Sequence, residues 1–226
     1  MKIDLHVHTS EISGCAHLTA EETIRCYRDA SYDAIVITNH FNQWTAKWLS
    51  EQGRLASDFT TSYFQTVRNA AEIGKKYGVI VFPGIEITFE NGTNDYLVYG
   101  LPESVVKDVD TMCRMGPAEF SKLATAENAL FYQAHPFRDG MTITNPAYLF
   151  GMEVMNCNPR HDARNDIAQQ WARKYHLHQI AGSDCHRIED VGSAGILTGC
   201  PVNNLEDLIQ ILREDAYQIF QSEPKE

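Results

Sequence analysis

The sequence predicts an α/β protein in which the strands form a barrel and the helices pack around it. Strand-like runs alternate with helical patterns along the chain, and repeated βα units are typical of parallel strands with helices outside. Roughly six to eight such units in one chain favour a barrel over an open sheet. A length of 226 residues suits one sizeable core, and no repeat, low-complexity segment or linker divides it. We therefore predict a single domain over residues 1–226.

The first half of the chain contains apolar, β-branched runs that predict strands. They are IDLHVH, DAIVITNH, VIVFPGIEITF and NDYLVYGL. Helical patterns lie between them: TAEETIRCYRDA has Thr19 and Glu22 placed for a capping box, and SYFQTVRNAAEIGKKYG would end at Gly78. The aromatic-rich segment from Phe41 to Phe64 either covers the barrel or forms a lid over one end.

The second half continues the alternation. Strands are predicted at ALFYQAHP, GMEVMN, HQIAGSDCH and AGILT. Helices are predicted at PAEFSKLATAEN, from about Ala163 to Tyr175, and at LEDLIQILRED. In the last of these, one helical face carries Leu205, Leu208, Ile209 and Leu212.

Composition and charge narrow the classes of function. The formal net charge of −11 argues against tight non-specific binding of nucleic acid, although bound divalent cations can invert the local field for a phosphorylated substrate. The six cysteines are too sparse for a disulfide framework and form no C-x-x-C, so we expect reduced thiols in the cytoplasm. Neither a signal peptide nor an apolar run of the ~20 residues that span a membrane is present.

Two histidines stand one residue apart in the first predicted strand, KIDLHVHTS. Side chains alternate along an extended strand, so His6 and His8 share one face while Leu5 and Val7 take the other. Such a pair chelates Zn²⁺, Mn²⁺ or Fe. A polar strand face with ordinary histidines is the alternative interpretation.

Further residues with metal-binding side chains stand at the ends of other predicted strands. They are His40, Glu86, His135, Asn156, Asp184 and His186, with Asp95 at the start of the NDYLVYGL strand. In a parallel αβ barrel the active site is built at the carboxyl ends of the strands. The histidines and carboxylates together offer enough donors for two or three divalent metal ions, with Zn, Mn and Fe as candidates.

The H-x-H pair, TNH, GIE, AHP and the late SDCH, in this order, resemble the PHP family, named for polymerase and histidinol phosphatase. The resemblance runs from Asp4 to about Gly195. It implies a distorted (β/α)7 TIM-like barrel with a metal cluster that is often trinuclear. Many members of the family are phosphoesterases, so a phosphoesterase is what the resemblance implies here.

The resemblance also implies how the candidate ligands are shared between ions. The first ion would take His6, His8, Glu86 and Asp184; the second would take Glu86, His135 and, as a departure in residue type, Asp95; the third would take His40, His186 and a residue from SEISGCAHLT. In that loop we favour Cys15 by position over His17 and Glu11. Asn39 is a second departure, because relatives often have Asp before this histidine.

The chemistry of such a cluster suits a phosphomonoester. Clustered divalent ions lower the pKa of a bridging water and offset charge on phosphoryl oxygens. Glu86 would bridge two ions, and His186, His40 or a metal-bound water would donate a proton to the leaving group. Arg138 and Arg160 follow strand ends and either bind phosphate as bidentate forks or are ordinary surface arginines. The expected substrate is a small phosphomonoester, either like histidinol phosphate or a nucleotide.

Two other functions stay open. A metal-dependent amidohydrolase also begins with H-x-H on a barrel strand, but those enzymes typically bridge their metals with a carboxylated lysine, and no lysine ends a central strand here. A non-catalytic, metal-stabilised PHP accessory module is the second alternative. The absence of a Lys/Arg stripe argues against an extended nucleic-acid partner. The substrate, the metal and the oligomeric state are left open by the sequence.

Overall fold

The computed structural model describes residues 1–222, and within this range ten strands and seven α-helices alternate. The strands are β1 (Lys2–Val7), β2 (Ala34–Ile37), β3 (His40–Phe41), β4 (Ile80–Thr88), β5 (Asp95–Tyr99), β6 (Leu130–Gln133), β7 (Gly151–Asn156), β8 (His178–Gly182), β9 (Ala194–Thr198) and β10 (Tyr217–Gln221). The helices are α1 (Ala20–Asp29), α2 (Gln43–Glu51), α3 (Phe59–Tyr77), α4 (Val109–Arg114), α5 (Gly116–Ala126), α6 (Asn165–Lys174) and α7 (Leu205–Glu214). The predicted domain over residues 1–226 includes residues 223–226, which lie outside the described range.

Seven of the described strands curl into a nearly closed barrel in the order β1-β2-β4-β5-β6-β7-β8. The gap between β8 and β1 is bridged just beyond β8, where the His8 amide donates to the Cys185 carbonyl at 3.0 Å and the Cys185 amide donates to the His6 carbonyl at 3.2 Å. Strands β9 and β10 extend the sheet outside the barrel, beside β1. The predicted distorted seven-stranded barrel is therefore confirmed.

The strand directions correct one expectation. Strands β1, β2 and β4 are parallel, as are β6, β7 and β8, but β5 runs antiparallel to both β4 and β6. Strands β9 and β10 are also antiparallel to their neighbours. The expectation of parallel strands throughout is thus wrong, because the connection at residues 89–94 is too short for a helical crossover and closes a hairpin instead.

Local sequence signals set the start of α1 and the end of α3. The Thr19 hydroxyl accepts a hydrogen bond from the Glu22 amide, and the Glu22 carboxylate accepts one from the Thr19 amide, so the predicted capping box caps α1. Helix α3 ends at Gly78, whose φ of 73° lies in the left-handed region. No helix in the described range is long and apolar enough to cross a membrane.

The segment from Phe41 to Phe64 forms β3, α2 and the start of α3, which begins earlier than predicted. Phe41, Leu49 and Tyr63 are buried. The Tyr63 hydroxyl donates to the carbonyls of Asn39 (2.8 Å) and Gly84 (3.0 Å), which ties α3 to the loop after β2. This segment therefore packs against the barrel as a cover.

Apolar packing supports the barrel at the end remote from the histidines. Buried residues of β1, β2 and β4–β6 form one cluster with Leu208 and Leu212 of α7, while Leu205 and Ile209 are partly buried beside them. The helical face predicted for α7 is thus the face that packs. At the other end of β1, His6 and His8 are buried polar side chains. Buried polar groups need hydrogen-bond or ionic partners rather than apolar contacts.

Candidate metal centre

The predicted ligands meet at one edge of the sheet, the carboxyl ends of β1, β4, β6 and β8. Those gathered here are His6, His8, His40, Glu86, Asp95, His135, Asp184 and His186. Asp95 stands at the start of its strand, yet it joins the others because antiparallel β5 places Asp95 opposite Thr88 at the end of β4. The hairpin that corrects the predicted strand directions thus explains how a strand start reaches this edge.

The imidazoles of His6 and His8 face each other, with their Nε2 atoms 3.0 Å apart. His6 Nδ1 lies 2.9 Å from Glu153 Oε1, and His8 Nδ1 lies 3.1 Å from Ser13 Oγ. A carboxylate accepts, so His6 Nδ1 carries the N–H; Ser13 donates its hydroxyl proton to Asn39 at 2.9 Å and so accepts from His8. In each ring Nε2 is therefore the nitrogen left to bind a cation, and the two Nε2 atoms lie close together.

The Glu86 carboxylate lies between two groups of histidines. Its Oε1 is 3.2 Å from His6 Nε2 and 3.3 Å from His135 Nε2. Its Oε2 is 3.3 Å from His8 Nε2 and 2.7 Å from His40 Nδ1. Glu86 is fully buried, and the approach of His40 Nδ1 does not give its Oε2 a well-aligned hydrogen bond. The position of Glu86 among these nitrogens fits a bridge between two cations.

Asp184 completes the contact between β1 and the chain after β8. Its Oδ1 is 3.4 Å from Nε2 of both His6 and His8. The backbone of Asp184 is left-handed, with φ of 52°, and that of His135 has φ of 26°. Non-glycine residues held in such conformations are strained, and strain of this kind clusters at functional sites. The surrounding structure therefore holds two candidate ligands in unfavourable backbone geometry.

Both central carboxylates are ionised at neutral pH. Burial raises the pKa of Glu86, but the neighbouring His6 and His40 outweigh it and hold that pKa well below 4.5. Burial likewise raises the pKa of Asp184, and His6 and His8 help to hold it well below 3.8. Negative charge buried at this depth needs positive partners. The donor set thus fits divalent cations.

Four overlapping groups of side chains could each hold an ion, because in each group the ligand atoms lie within 4.8 Å of one another. The groups are His8, His40 and His186; His6, His8 and Glu86; His6, His135 and Asp184; and Glu86, Asp95 and His135. Imidazole nitrogens and carboxylate oxygens are ligands that Zn, Mn and Fe accept. Because the groups share members, the site suits a cluster of divalent ions.

Asp95 lies at the margin of the cluster. Its Oδ2 is 3.9 Å from His135 Nε2, and its Oδ1 accepts a hydrogen bond from the Thr88 hydroxyl at 2.6 Å. Burial and the charge of Glu86 raise the pKa of Asp95 above 3.8. Of the two oxygens, Oδ2 is the one that faces the candidate ligands.

The loop after the H-x-H pair turns Cys15, rather than His17 or Glu11, toward the cluster. Cys15 lines the same cavity as His40 and His186. Its partial burial raises the pKa of the thiol, but hydrogen bonds with His186 and His40 outweigh burial and lower that pKa to about 6. Cys15 and His17 are both exposed, but His17 does not line this cavity in the described part of the chain. Glu11 Oε1 accepts from the Ala20 amide at 2.8 Å.

We expect Cys15 to contribute a thiolate to the His40 and His186 subsite. The protein loaded with Co²⁺ should then show thiolate-to-cobalt charge-transfer absorption, because a deprotonated sulfur is a soft, strongly bound ligand. The Cys15→Ser variant should lose this absorption, and His17→Ala should keep it. Absorption that survives Cys15→Ser would remove Cys15 from the ligand set.

The two predicted phosphate-binding arginines both line a cavity of about 450 Å³ beside the cluster. Arg138 Nη1 is 3.3 Å from Asp184 Oδ2, and its side chain is 17% exposed. Arg160 instead forms a two-pronged ion pair with Asp190 at 2.7 and 2.6 Å, and Asp190 also accepts from the His186 amide at 2.8 Å. Arg160 thus stabilises the chain after β8 through Asp190. Arg138 has more of its guanidinium N–H donors available for a ligand.

Sequence reasoning missed Glu153 and Ser13, which bind the far nitrogens of His6 and His8. The sequence does contain a signal for Glu153, because it is a carboxylate within the apolar run GMEVMN. In the structure Glu153 is 1% exposed. Asn156 donates to Glu153 Oε2 at 3.0 Å and so contacts this partner of the ligands. Asn158 also lines the cavity. Ser13 left no comparable signal in its loop.

Comparisons with known proteins agree with this arrangement. Residues 162–217 match a family model described as PHP-associated. A two-domain protein from Bacteroides vulgatus ATCC 8482, described as containing a predicted PHP-like metal-dependent phosphoesterase, has 18% sequence identity and a TM-score of 0.66 over 98% of this chain. This chain spans 64% of that protein. The family-model match and the shared fold both agree with the resemblance to the PHP family.

Proteins with other described activities share the fold. An amidohydrolase from Chromobacterium violaceum, solved with bound SO4 and no metal, has a TM-score of 0.56 and 15% identity over 98% of both chains. A lesion-specific endonuclease from Pyrococcus furiosus has a TM-score of 0.57 and 12% identity over 96% of this chain and 57% of its own. No protein with a curated description matches the chain. At these identities the structures establish the fold.

Proposed function

We propose that this chain is a metal-dependent phosphoesterase that hydrolyses a small phosphomonoester, either like histidinol phosphate or a nucleotide. One observation carries the proposal: Nε2 of His6 and Nε2 of His8 lie within 3.4 Å of both Glu86 and Asp184, and Asp184 lines one cavity of about 450 Å³ together with Arg138. Residues 1–226 would form a single domain around this site. The PHP-like phosphoesterase with the same fold supports the assignment.

Three subsites would hold two or three divalent ions, with Zn, Mn or Fe as candidates. Their ligands would be His6, His8, Glu86 and Asp184; Glu86, His135 and Asp95; and His40, His186 and Cys15. Divalent ions held there would make water a stronger nucleophile near neutral pH and offset the charge that builds on the phosphoryl oxygens. Imidazole and thiolate donors favour these metals over Mg²⁺.

Arg138 would bind and orient the phosphate. Its guanidinium carries five N–H donors in a planar fork that matches two phosphate oxygens. The ion pair from Arg138 Nη1 to Asp184 Oδ2 aims this fork at the cluster. Holding the phosphate against the cluster would keep the phosphorus atom in one orientation for attack.

A histidine of the His40 and His186 pair would deliver the proton to the leaving alkoxide. His186 Nδ1 lies 2.9 Å from the Asp184 carbonyl and so carries an N–H, which leaves its Nε2 facing the cavity. The two rings lie 5.8 Å apart at the exposed side of the cluster. Whichever of the two does not hold an ion can protonate the leaving oxygen, and Glu86 Oε2 lies 2.7 Å from His40 Nδ1.

The cavity and the charge of the chain favour a small substrate. A volume of about 450 Å³ lies in the range of small-molecule pockets. The net charge of −11 opposes attraction of a long polynucleotide. An endonuclease shares the fold, so nucleic acid is an alternative substrate. An assay on oligonucleotides tests this alternative.

An amidohydrolase is the second candidate, because a protein so described shares the fold. That relative was solved with a bound sulfate, an anion with the shape of phosphate. No lysine lines the cavity among the described residues. Glu86 would take the bridging position instead, which supports the phosphoesterase.

The test is a hydrolysis panel run on protein supplied with Zn²⁺, Mn²⁺ or Fe²⁺. We expect release of inorganic phosphate from at least one small phosphomonoester, and none from protein treated with a chelator. Amides and short oligonucleotides serve as competing substrates in the same panel. Cleavage of amides alone would establish the amidohydrolase. Metal binding without any hydrolysis would point to the accessory module.

We expect Arg138→Ala to weaken phosphomonoester turnover more than Arg160→Ala does. Loss of a charge-assisted hydrogen bond to phosphate should lower kcat/KM by an amount equivalent to about 1–3 kcal/mol. Arg160 already pairs with Asp190, so its removal should act chiefly through the position of His186. Steady-state kinetics of both variants measure this, and an Arg138→Ala enzyme with unchanged kcat/KM would contradict it.

A further inference from the structure

We infer that Glu153 is a positioning residue that holds two candidate metal ligands from different strands, His6 and His135, and decides which nitrogen of His6 is free to bind metal. Glu153 lies in β7, is 1% exposed and does not line the cavity among the described residues. This inference rests on the proposed metal centre and is independent of the choice of substrate.

Each oxygen of Glu153 serves a different strand. Oε1 lies 2.9 Å from His6 Nδ1, at the end of β1. Oε2 accepts from the backbone amide of His135 at 2.9 Å, just after β6, and from Asn156 Nδ2 at 3.0 Å. One carboxylate therefore joins β1, β6 and β7 behind the cluster.

The bond to His6 fixes its tautomer. A carboxylate oxygen accepts the hydrogen bond, so the proton between Glu153 and His6 resides on His6 Nδ1. Nε2 is then the nitrogen left to bind a metal ion, and it lies 3.0 Å from His8 Nε2 and 3.2 Å from Glu86 Oε1. A proton on Nε2 would occupy the position that a metal ion needs, so Glu153 keeps this nitrogen available.

The bond to His135 acts on the backbone. His135 has φ of 26°, a conformation that non-glycine residues avoid. Its amide donates to Glu153, and its Nε2 lies 3.3 Å from Glu86 Oε1. Glu153 thus opposes relaxation of this residue away from the cluster.

Close packing leaves Glu153 little freedom to move. A Cβ atom on Gly182 of β8 would lie 2.3 Å from His6 Cβ and 3.2 Å from Glu153 Oε1. Only glycine fits at this point, and it lets the carboxylate and the imidazole meet beside β8. The position of Glu153 is therefore set by three neighbouring strands.

The Glu153→Gln variant tests the inference with almost no change in shape. If the amide oxygen faces His6, the NH₂ group meets two donors, the His135 amide and Asn156. If the NH₂ group faces His6, the imidazole must shift its proton to Nε2. Either arrangement should weaken Co²⁺ or Zn²⁺ binding, by about 10–100-fold as for other partners of metal-bound histidines.

Asp4→Asn is the matched control. Asp4 is also fully buried and accepts from the His6 amide at 3.1 Å, but it contacts the backbone of His6 and leaves the ring alone. A purely structural role for Glu153 predicts similar metal affinities for the two variants, whereas a positioning role predicts a large loss in Glu153→Gln alone.

The unaltered protein provides a second measurement that does not depend on folding of a variant. Nitrogen NMR of the Cd²⁺-loaded protein with labelled histidine should show His6 protonated at Nδ1 and bound through Nε2. A His6 bound through Nδ1 in the loaded protein would overturn the inference. So would a Glu153→Gln protein that binds metal within about threefold of the unaltered chain. Failure of the unaltered chain to bind any divalent ion would overturn the metal centre itself and the inference with it.

Discussion

Replacing Glu86 with alanine is expected to remove more metal than replacing any single histidine. The Glu86 carboxylate contacts His6 and His135 through one oxygen and His8 and His40 through the other, so it would serve two ions where each histidine serves one. With the ions gone, several kcal/mol of transition-state stabilisation are lost. A loss of about 4 kcal/mol corresponds to about a 10³-fold fall in kcat/KM.

Elemental analysis of purified variants measures metal per chain, and kinetics measure the fall in turnover. The matched control is Glu90→Ala, four residues further along the chain and exposed, which should keep full metal content. A Glu86→Ala protein with full occupancy would show that the bridging role is wrong. Glu86→Gln, which keeps the volume of the buried side chain, separates loss of ligand charge from loss of packing.

Removing the metal ions is expected to lower the melting temperature substantially. Without divalent cations, the buried carboxylates of Glu86 and Asp184 have as partners only the neighbouring histidines and, for Asp184, the Arg138 guanidinium. A ligand at 1,000 times its Kd stabilises the folded state by about 4 kcal/mol for each site. For a chain of this size about 1 kcal/mol corresponds to about 2–4 °C, so one filled site should raise Tm by about 8–16 °C.

Thermal unfolding with a chelator and then with added Zn²⁺ or Mn²⁺ measures this difference. The Glu86→Ala protein should show little response to the same ions, since its ligands are incomplete. Equal melting temperatures for the chelated and loaded unaltered protein would contradict a metal-stabilised site. A shift in Tm without hydrolysis of any substrate would favour the accessory module over the enzyme.

The barrel was predictable because its strands are short apolar runs, but their directions were not. Alternation of side chains looks the same in parallel and antiparallel strands, so NDYLVYGL gave no sign of its direction. The connection at residues 89–94 did carry information, because a short loop with Gly and Asn is typical of a hairpin. The strand β10 was missed because YQIFQ follows the last helix without a pattern of its own.

The candidate ligands were predictable because each stands at the end of a recognisable strand. Their supporting partners were not, because hydrogen bonds between strands connect residues far apart in sequence: Glu153 meets His6 across 147 positions. The sequence also did not identify Asp190 as the partner of Arg160, because the two residues meet only in the folded structure. Roles that depend on which neighbour is paired thus require the structure.

The way the barrel closes has a consequence for the order of folding. The first strand pairs with β2 early in the sequence, but its other edge is completed only by Cys185 and by β9. Contacts across such long separations form slowly, because the chain loses the entropy of closing a large loop before the contacts stabilise it. The candidate ligands extend to His186, so on the ribosome a nascent chain cannot assemble the full cluster until synthesis has passed His186. Metal ions should then slow unfolding more than they speed folding.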